Sequence, residues 1–160
     1  MASRNLSLVS RRFMLGAGAT TATVILFGKD ANAAPTGLVV TAYRDPGCGC
    51  CEKWAGLMKD AGFTITLEND SSLGERKATL GIPKNLAGCH TALIGDYAIE
   101  GNVPPDDIIL FLAEQPTALG LAVPGMPAES PGMEMGGAPQ PFDVVLIGKY
   151  GATKIYAHHG

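Results

Sequence analysis

The segment LVVTAYRDPGCGCCEKWAGLMKDAG, residues 38–62, decides the fold. Leu38 to Tyr43 form an apolar, β-branched run bounded by Gly37 and by the turn residues Arg44 to Gly47, which reads as a buried strand. Beyond it the period changes. Cys51, Trp54, Met58 and Ala61 share one helical face, Glu52, Lys53, Lys59 and Asp60 lie mostly off it, and Gly62 suits the helix stop. At the strand-to-helix junction stand three of the chain's four cysteines, Cys48, Cys50 and Cys51. Cys48 and Cys51 make a C-x-x-C, and Cys50 sits inside it.

Outward from this junction, FTITLE (63–68) alternates like a strand, and a second helix is expected from Ser72 to about Leu80. Asp70, Ser71 or Ser72 caps that helix, and Gly81 and Pro83 end it. CHTALIGDYAIEG (89–101) reads as a hairpin whose Gly95-Asp96 loop has the glycine that a type II′ turn needs in first position. PPDDIILFLAEQP (104–116) has proline in its first turn, Asp106 and Asp107 at the positive end of the helix dipole, and an apolar face of Ile108, Ile109, Phe111 and Leu112. AVPGMPAESPGMEMGGAPQP (122–141) is an extended Met/Pro/Gly-rich loop without helical or strand period. FDVVLIGKYGATKIYAHH (142–159) is a further hairpin, Asp143 to Ile147 with Thr153 to Ala157. The order is β-α-β-α-β-β-α, an α/β class, followed by that loop and an extra β-hairpin. With a C-x-x-C between first strand and first helix, it resembles the thioredoxin/glutaredoxin fold, although C-G-C-C stands where thioredoxins carry C-G-P-C.

The first 33 residues read as a cleavable export signal. Arg11-Arg12 with Phe13, Met14 and Leu15 resembles a twin-arginine signal, a mildly apolar stretch follows, and Ala31-Asn32-Ala33 suits signal peptidase. The apolar stretch is too short and too rich in Gly and Thr to make a stable membrane span, and cleavage after Ala33 leaves one thioredoxin-like domain, 34–160, in the periplasm. Cleavage removes Arg4, Arg11, Arg12, Lys29 and Asp30, leaving eight basic and fourteen acidic residues, a net charge of −6. The basic residues are scattered, with no stripe or aromatic-interleaved patch, which argues against nucleic acid as a partner.

Two structural disulfides, the default for four cysteines in an exported chain, fit this spacing poorly. Adjacent Cys50 and Cys51 pair only with severe strain, and a Cys48–Cys51 loop is too short to remove much unfolded-state entropy. Two chemistries remain open. A thiol at a helix N-terminus is favoured as thiolate, so Cys48 suits a nucleophile and Cys51 a resolving thiol in disulfide exchange. The same turn presents three soft sulfurs to metal. Placing GCHTALIG on the loop that faces the C-x-x-C in thioredoxin-like folds puts His90 where those folds carry a cis-proline, and brings Cys89 to the other cysteines. On that placement Cys89 is either a fourth ligand or a buried apolar filler, and His90 either a ligand or a hydrogen-bonded polar residue. Divergent neighbours such as Cys50 and Cys51 suit a single tetrahedral Zn²⁺ less well than bridging thiolates shared among several Cu(I) ions. Met126, Met133 and Met135 offer soft thioethers or pack as an apolar lid, and His158 and His159 are weaker auxiliary candidates.

CGCCEKW, CHTALIGDYAIEGNVPPDDI, GLAVPGMP and SPGME together resemble the blocks of the CopG-like family of periplasmic metal-binding proteins, domain-of-unknown-function family 411, from Leu38 to His158. The resemblance implies a thioredoxin-like fold, a periplasmic location, association with copper resistance, and a copper cluster held by Cys48, Cys50, Cys51 and Cys89. Two functions follow as expectations: Cu(I) binding, with other periplasmic copper-handling proteins as partners, or thiol-disulfide or copper oxidoreduction through Cys48 and Cys51.

Overall fold

The computed structural model describes residues 37–160 apart from Met135, Gly137 and Pro139; the expected signal segment 1–33 and Met135 lie outside the described residues. In chain order come β1 (Val39–Arg44), α1 (Gly49–Asp60), β2 (Thr64–Asn69), α2 (Leu73–Leu80), β3 (His90–Ile94), β4 (Tyr97–Glu100), α3 (Pro105–Glu114), β5 (Ala118–Ala122), β6 (Phe142–Gly148) and β7 (Thr153–His159). The turn chemistry of the sequence sets most of these boundaries. Asp70 Oδ1 accepts the Ser72 N–H at 2.8 Å just before α2, and Gly81, with φ 80, ends that helix in the left-handed region open to glycine. Gly95 takes φ 58 between Ile94 and Tyr97, the sign that a type II′ turn requires.

The seven strands form one sheet in the order β2-β1-β3-β4-β5-β6-β7. β1 pairs with β2, and β4 with β5, in parallel, with α1 and α3 as the crossovers; every other neighbouring pair is antiparallel. The core gathers Val40, Trp54, Met58, Ile99, Phe111 and Leu121, all inaccessible to solvent. From α1 it takes the expected face, Cys51, Trp54 and Met58 together with Ala55, and the Trp54 indole N–H donates to Val103 O at 2.8 Å.

One expectation is corrected. The sequence pattern shows no strand between α3 and the Met-rich loop, and that loop was expected to begin at Ala122, yet Ala118–Ala122 is β5 and Ala122 closes it. Ala-Leu-Gly-Leu-Ala lacks β-branched residues, and burial between β4 and β6 makes it a strand where propensity does not. Through β5 the last hairpin joins the main sheet and extends it.

Register decides what meets at one end of this sheet. Arg44, the last residue of β1, pairs with His90, the first of β3, and Thr91 pairs with Glu100, the last of β4. The N-terminus of α1, the residues just before β3 and the end of β4 are thereby brought together.

Candidate metal centre

Cys48 caps α1 in an extended conformation (φ −70, ψ 99), and its N–H reaches back to Asp45 O at 3.3 Å across the glycine turn. Arg44 fixes this junction, its Nη1 donating to Cys48 O at 3.1 Å and to Glu52 Oε1 at 2.8 Å. Three thiol positions on one helical turn then face the residue preceding β3. Cys50 Sγ lies 3.3 Å from Cys48 Sγ and 3.2 Å from Cys89 Sγ, and Cys51 Sγ lies 3.7 Å from Cys89 Sγ. All four sulfurs fall within 4.8 Å of one another, a set able to hold a metal ion. Cys48 and Cys51 are joined in a disulfide, while Cys50 and Cys89 are free. Cys51 is buried and the other three are partly exposed, so the centre opens to solvent on one side.

Cys89 is held as a thiol. Burial, then its hydrogen bond with Cys50, pushes its pKa up to about 12. Asn102 gives the proton a direction. The Asn102 amide N–H donates to Pro131 O at 2.6 Å, which leaves Oδ1 facing Cys89 Sγ at 3.4 Å as acceptor. His90 is wholly buried with its ring 4.4 Å from that of Trp54, and its Nδ1 lies 3.3 Å from Cys89 Sγ. Burial, then the positive charge of Lys77, lowers its pKa to about 3, so the imidazole is neutral at physiological pH. Its Nε2 is buried without a hydrogen-bond partner.

Met126 is exposed, and Met133 is half-buried with its N–H on Ser130 O at 2.7 Å. His158 Nδ1 and His159 Nε2 face Asp143 and Asp107, each at 2.7 Å. The loop that carries the methionines touches the centre through its backbone. A Cβ on Gly132 would lie 2.8 Å from Cys50 O and 2.9 Å from Trp54 N, so that glycine rests on the first turn of α1.

Sequence reasoning missed four residues behind Cys89. The Glu100 carboxylate accepts hydrogen bonds from Gly88 N, Thr91 Oγ1 and the Lys77 ammonium, and Asn102 follows two residues later. A signal was present: Glu100 ends an otherwise apolar hairpin strand, and a charge at such a position is buried only with partners.

An α/β sheet carrying four converging sulfurs, two of them in a disulfide, defines a cysteine-cluster protein whose sulfurs could hold a metal ion once that disulfide is reduced. Residues 86–133 match the family described as "Protein of unknown function, DUF411". Two solved structures of a copper resistance protein CopG are similar over nearly their whole length. Form 2 is 36% identical with a TM-score of 0.73, covering 77% of this chain and 98% of that one. Form 1 is 38% identical with a TM-score of 0.72, covering 76% and 97%. No curated protein matches the chain. The chain belongs to the CopG-like copper-resistance family.

Proposed function

We propose that this protein binds Cu(I) in the periplasm as part of copper handling or resistance, with Cys48, Cys50, Cys51 and Cys89 as ligands of a shared, polynuclear site. The observation that carries the reading is the convergence of all four sulfurs within 4.8 Å, with Cys89 arriving from 38 residues beyond Cys51. Thiolate sulfur is a soft donor that favours Cu(I), and sulfurs spaced at 3.2–3.7 Å suit bridging between ions. Cys50 in particular has no place in a two-sulfur cycle, yet lies against both Cys48 and Cys89. A thioredoxin-like reading of the β-α-β-α-β-β-α section is supported by the order β2-β1-β3-β4 with only the β1–β2 pair parallel. Support for export is the sequence of residues 1–33, and no described helix is long and apolar enough to cross a membrane.

In this reading copper is cargo. The Cys48–Cys51 disulfide must take up two electrons and two protons, giving two thiols, before those sulfurs can bind. Loading then releases protons, because each ligand binds as thiolate. Exchange of the metal onto thiolates of a periplasmic partner would complete the handling. The disulfide itself favours a second reading, a thiol-disulfide or copper oxidoreductase in which the dithiol gives up two electrons and two protons to a substrate disulfide, or gives two electrons to two Cu(II) ions, yielding two Cu(I), and releases the two protons to solvent.

One experiment separates these. The reduced protein is loaded with copper anaerobically, and copper per chain is measured for wild type, Cys50→Ser and Cys89→Ser. The shared site predicts that each replacement lowers the stoichiometry by more than one copper. Wild-type stoichiometry in both variants, with only Cys48 and Cys51 mattering, would remove the shared site and leave dithiol redox chemistry.

A further inference from the structure

Glu100 is fully buried at the end of β4, and its acceptors are aimed at the chain on both sides of Cys89. Oε1 takes the Gly88 N–H at 2.6 Å and Oε2 takes the Thr91 hydroxyl at 2.6 Å. Lys77 on α2, itself buried, donates to Oε1 and to Thr91 Oγ1, the latter at 3.0 Å. One carboxylate thus grips the residue before Cys89 and the residue after His90.

Cys89 needs such a grip. It stands outside β3, whose ladder begins at His90, and no helix carries it. Gly88 is pressed so closely on the end of β4 that a Cβ there would lie 2.8 Å from Gly101 Cα. The clamp therefore works at backbone contact, where little slack remains. A buried ion pair is a weak source of stability compared with apolar packing of the same volume, so stability alone does not account for a charge here. A carboxylate has a property that an apolar side chain lacks: it accepts several hydrogen bonds at once and so fixes several groups relative to one another.

We infer that Glu100 is a positioning residue that holds Cys89 Sγ against the α1 cysteines, with Lys77 as its counter-ion. The inference extends the shared-site reading, but it concerns where a sulfur sits and can be read without copper. In a Cys48→Ser/Cys51→Ser background, Cys50 and Cys89 are the only thiols, and their sulfurs lie 3.2 Å apart in the wild-type structure. Diamide, a diazene that accepts the two electrons and two protons of two thiols, converts them to a disulfide, and the rate reports their juxtaposition.

Adding Glu100→Ala is expected to slow closure about tenfold, the scale of a lost hydrogen bond to a charged group. Glu100→Gln, whose amide oxygen still accepts from Gly88 and whose amide N–H can turn to Thr91 Oγ1, leaves Lys77 without its counter-charge and is expected to restore part of the rate. If Glu100→Ala does not fold, Thr91→Val removes the bond at Oε2 and the Lys77 bond to the same hydroxyl while leaving Oε1 on Gly88, and is expected to slow closure severalfold. Unchanged closure in a folded Glu100→Ala, or in Thr91→Val where that variant is the one that folds, overturns the inference, as does failure of Glu100→Gln to restore any of the rate lost in Glu100→Ala. Copper per chain, measured on the same replacements in the four-cysteine protein, is judged separately: absence of copper from wild type defeats the shared-site reading and leaves the closure rates to decide the clamp.

Discussion

His90 shows how a single side chain couples this centre to pH. Its ring is wholly buried against Trp54, and its pKa is lowered to about 3 from the ordinary 6.5 by burial and by Lys77. The folded protein therefore refuses a proton that the unfolded chain accepts below pH 6.5. The stability that neutral His90 contributes is complete above that value and is lost as pH falls toward about 3, with a limiting slope of roughly 1.4 kcal/mol per pH unit. Urea unfolding of metal-free protein between pH 7 and pH 4 should show this slope, and His90→Leu should flatten it while lowering stability at pH 7. Parallel pH profiles for the two proteins would show that another group carries the acid sensitivity. Cys89 has the opposite sign: its pKa is raised from 9.0 to about 12, so its contribution is present at neutral pH and is lost as pH rises through that range. On the proposed copper-binding reading, a thiol held this firmly protonated makes metal loading compete with protons, so Cu(I) affinity should strengthen as pH rises.

Among the elements, the Met-rich loop is tied to α1 by the smallest residue available. Gly132 has φ +88, and any Cβ there would press on Cys50 O and Trp54 N, the groups at either end of the first helical turn. Gly132→Ala combines left-handed backbone strain with overpacking and should cost roughly 2–4 kcal/mol. The same replacement at Gly136, also at positive φ but with open space around it, should cost only the backbone part, about 1–2 kcal/mol. Thermal unfolding of the two variants measures the difference, and equal losses would mean that the loop is not seated on α1. Here the limits of the sequence become physical. β1, α1, β2, α2, the β3–β4 hairpin, α3 and the last hairpin were legible because periodicity and turn residues agree there, as at Gly81 and Gly95. β5 was not legible, because Ala118–Ala122 becomes a strand only through its neighbours. The cysteine set was legible, with Cys89 placed by analogy of fold, whereas Lys77, Thr91, Glu100 and Asn102 belong to no motif and meet only through sheet register.

On the scale of the whole molecule, the question is whether the cysteine end and the last hairpin are separable. Among the described residues β5 alone joins β4 to the β6–β7 pair, and at Gly120 a Cβ would fall 1.6 Å from Ala98 O, inside the partner strand's backbone. Gly120→Ala should therefore break the β4–β5 pairing outright, because no side-chain adjustment relieves a clash with main chain. Were the first four strands autonomous, the variant would keep its cysteine centre and lose only the far hairpin. The path of the chain argues otherwise. Residues between β5 and β6 return over the centre, where Pro131 O accepts from Asn102, the residue whose other amide atom faces Cys89, and Gly132 rests on the first turn of α1. Detaching β5 should therefore also release the cover over Cys50 and Cys89. In Gly120→Ala we expect near-ultraviolet circular dichroism, resistance to proteolysis within β6 and β7 and, on the proposed copper-binding reading, copper per chain to be lost together. A variant whose last two strands are digested while it still binds wild-type copper would show two independent units, and the seat of the Met-rich loop on α1 would then be dispensable to the metal centre.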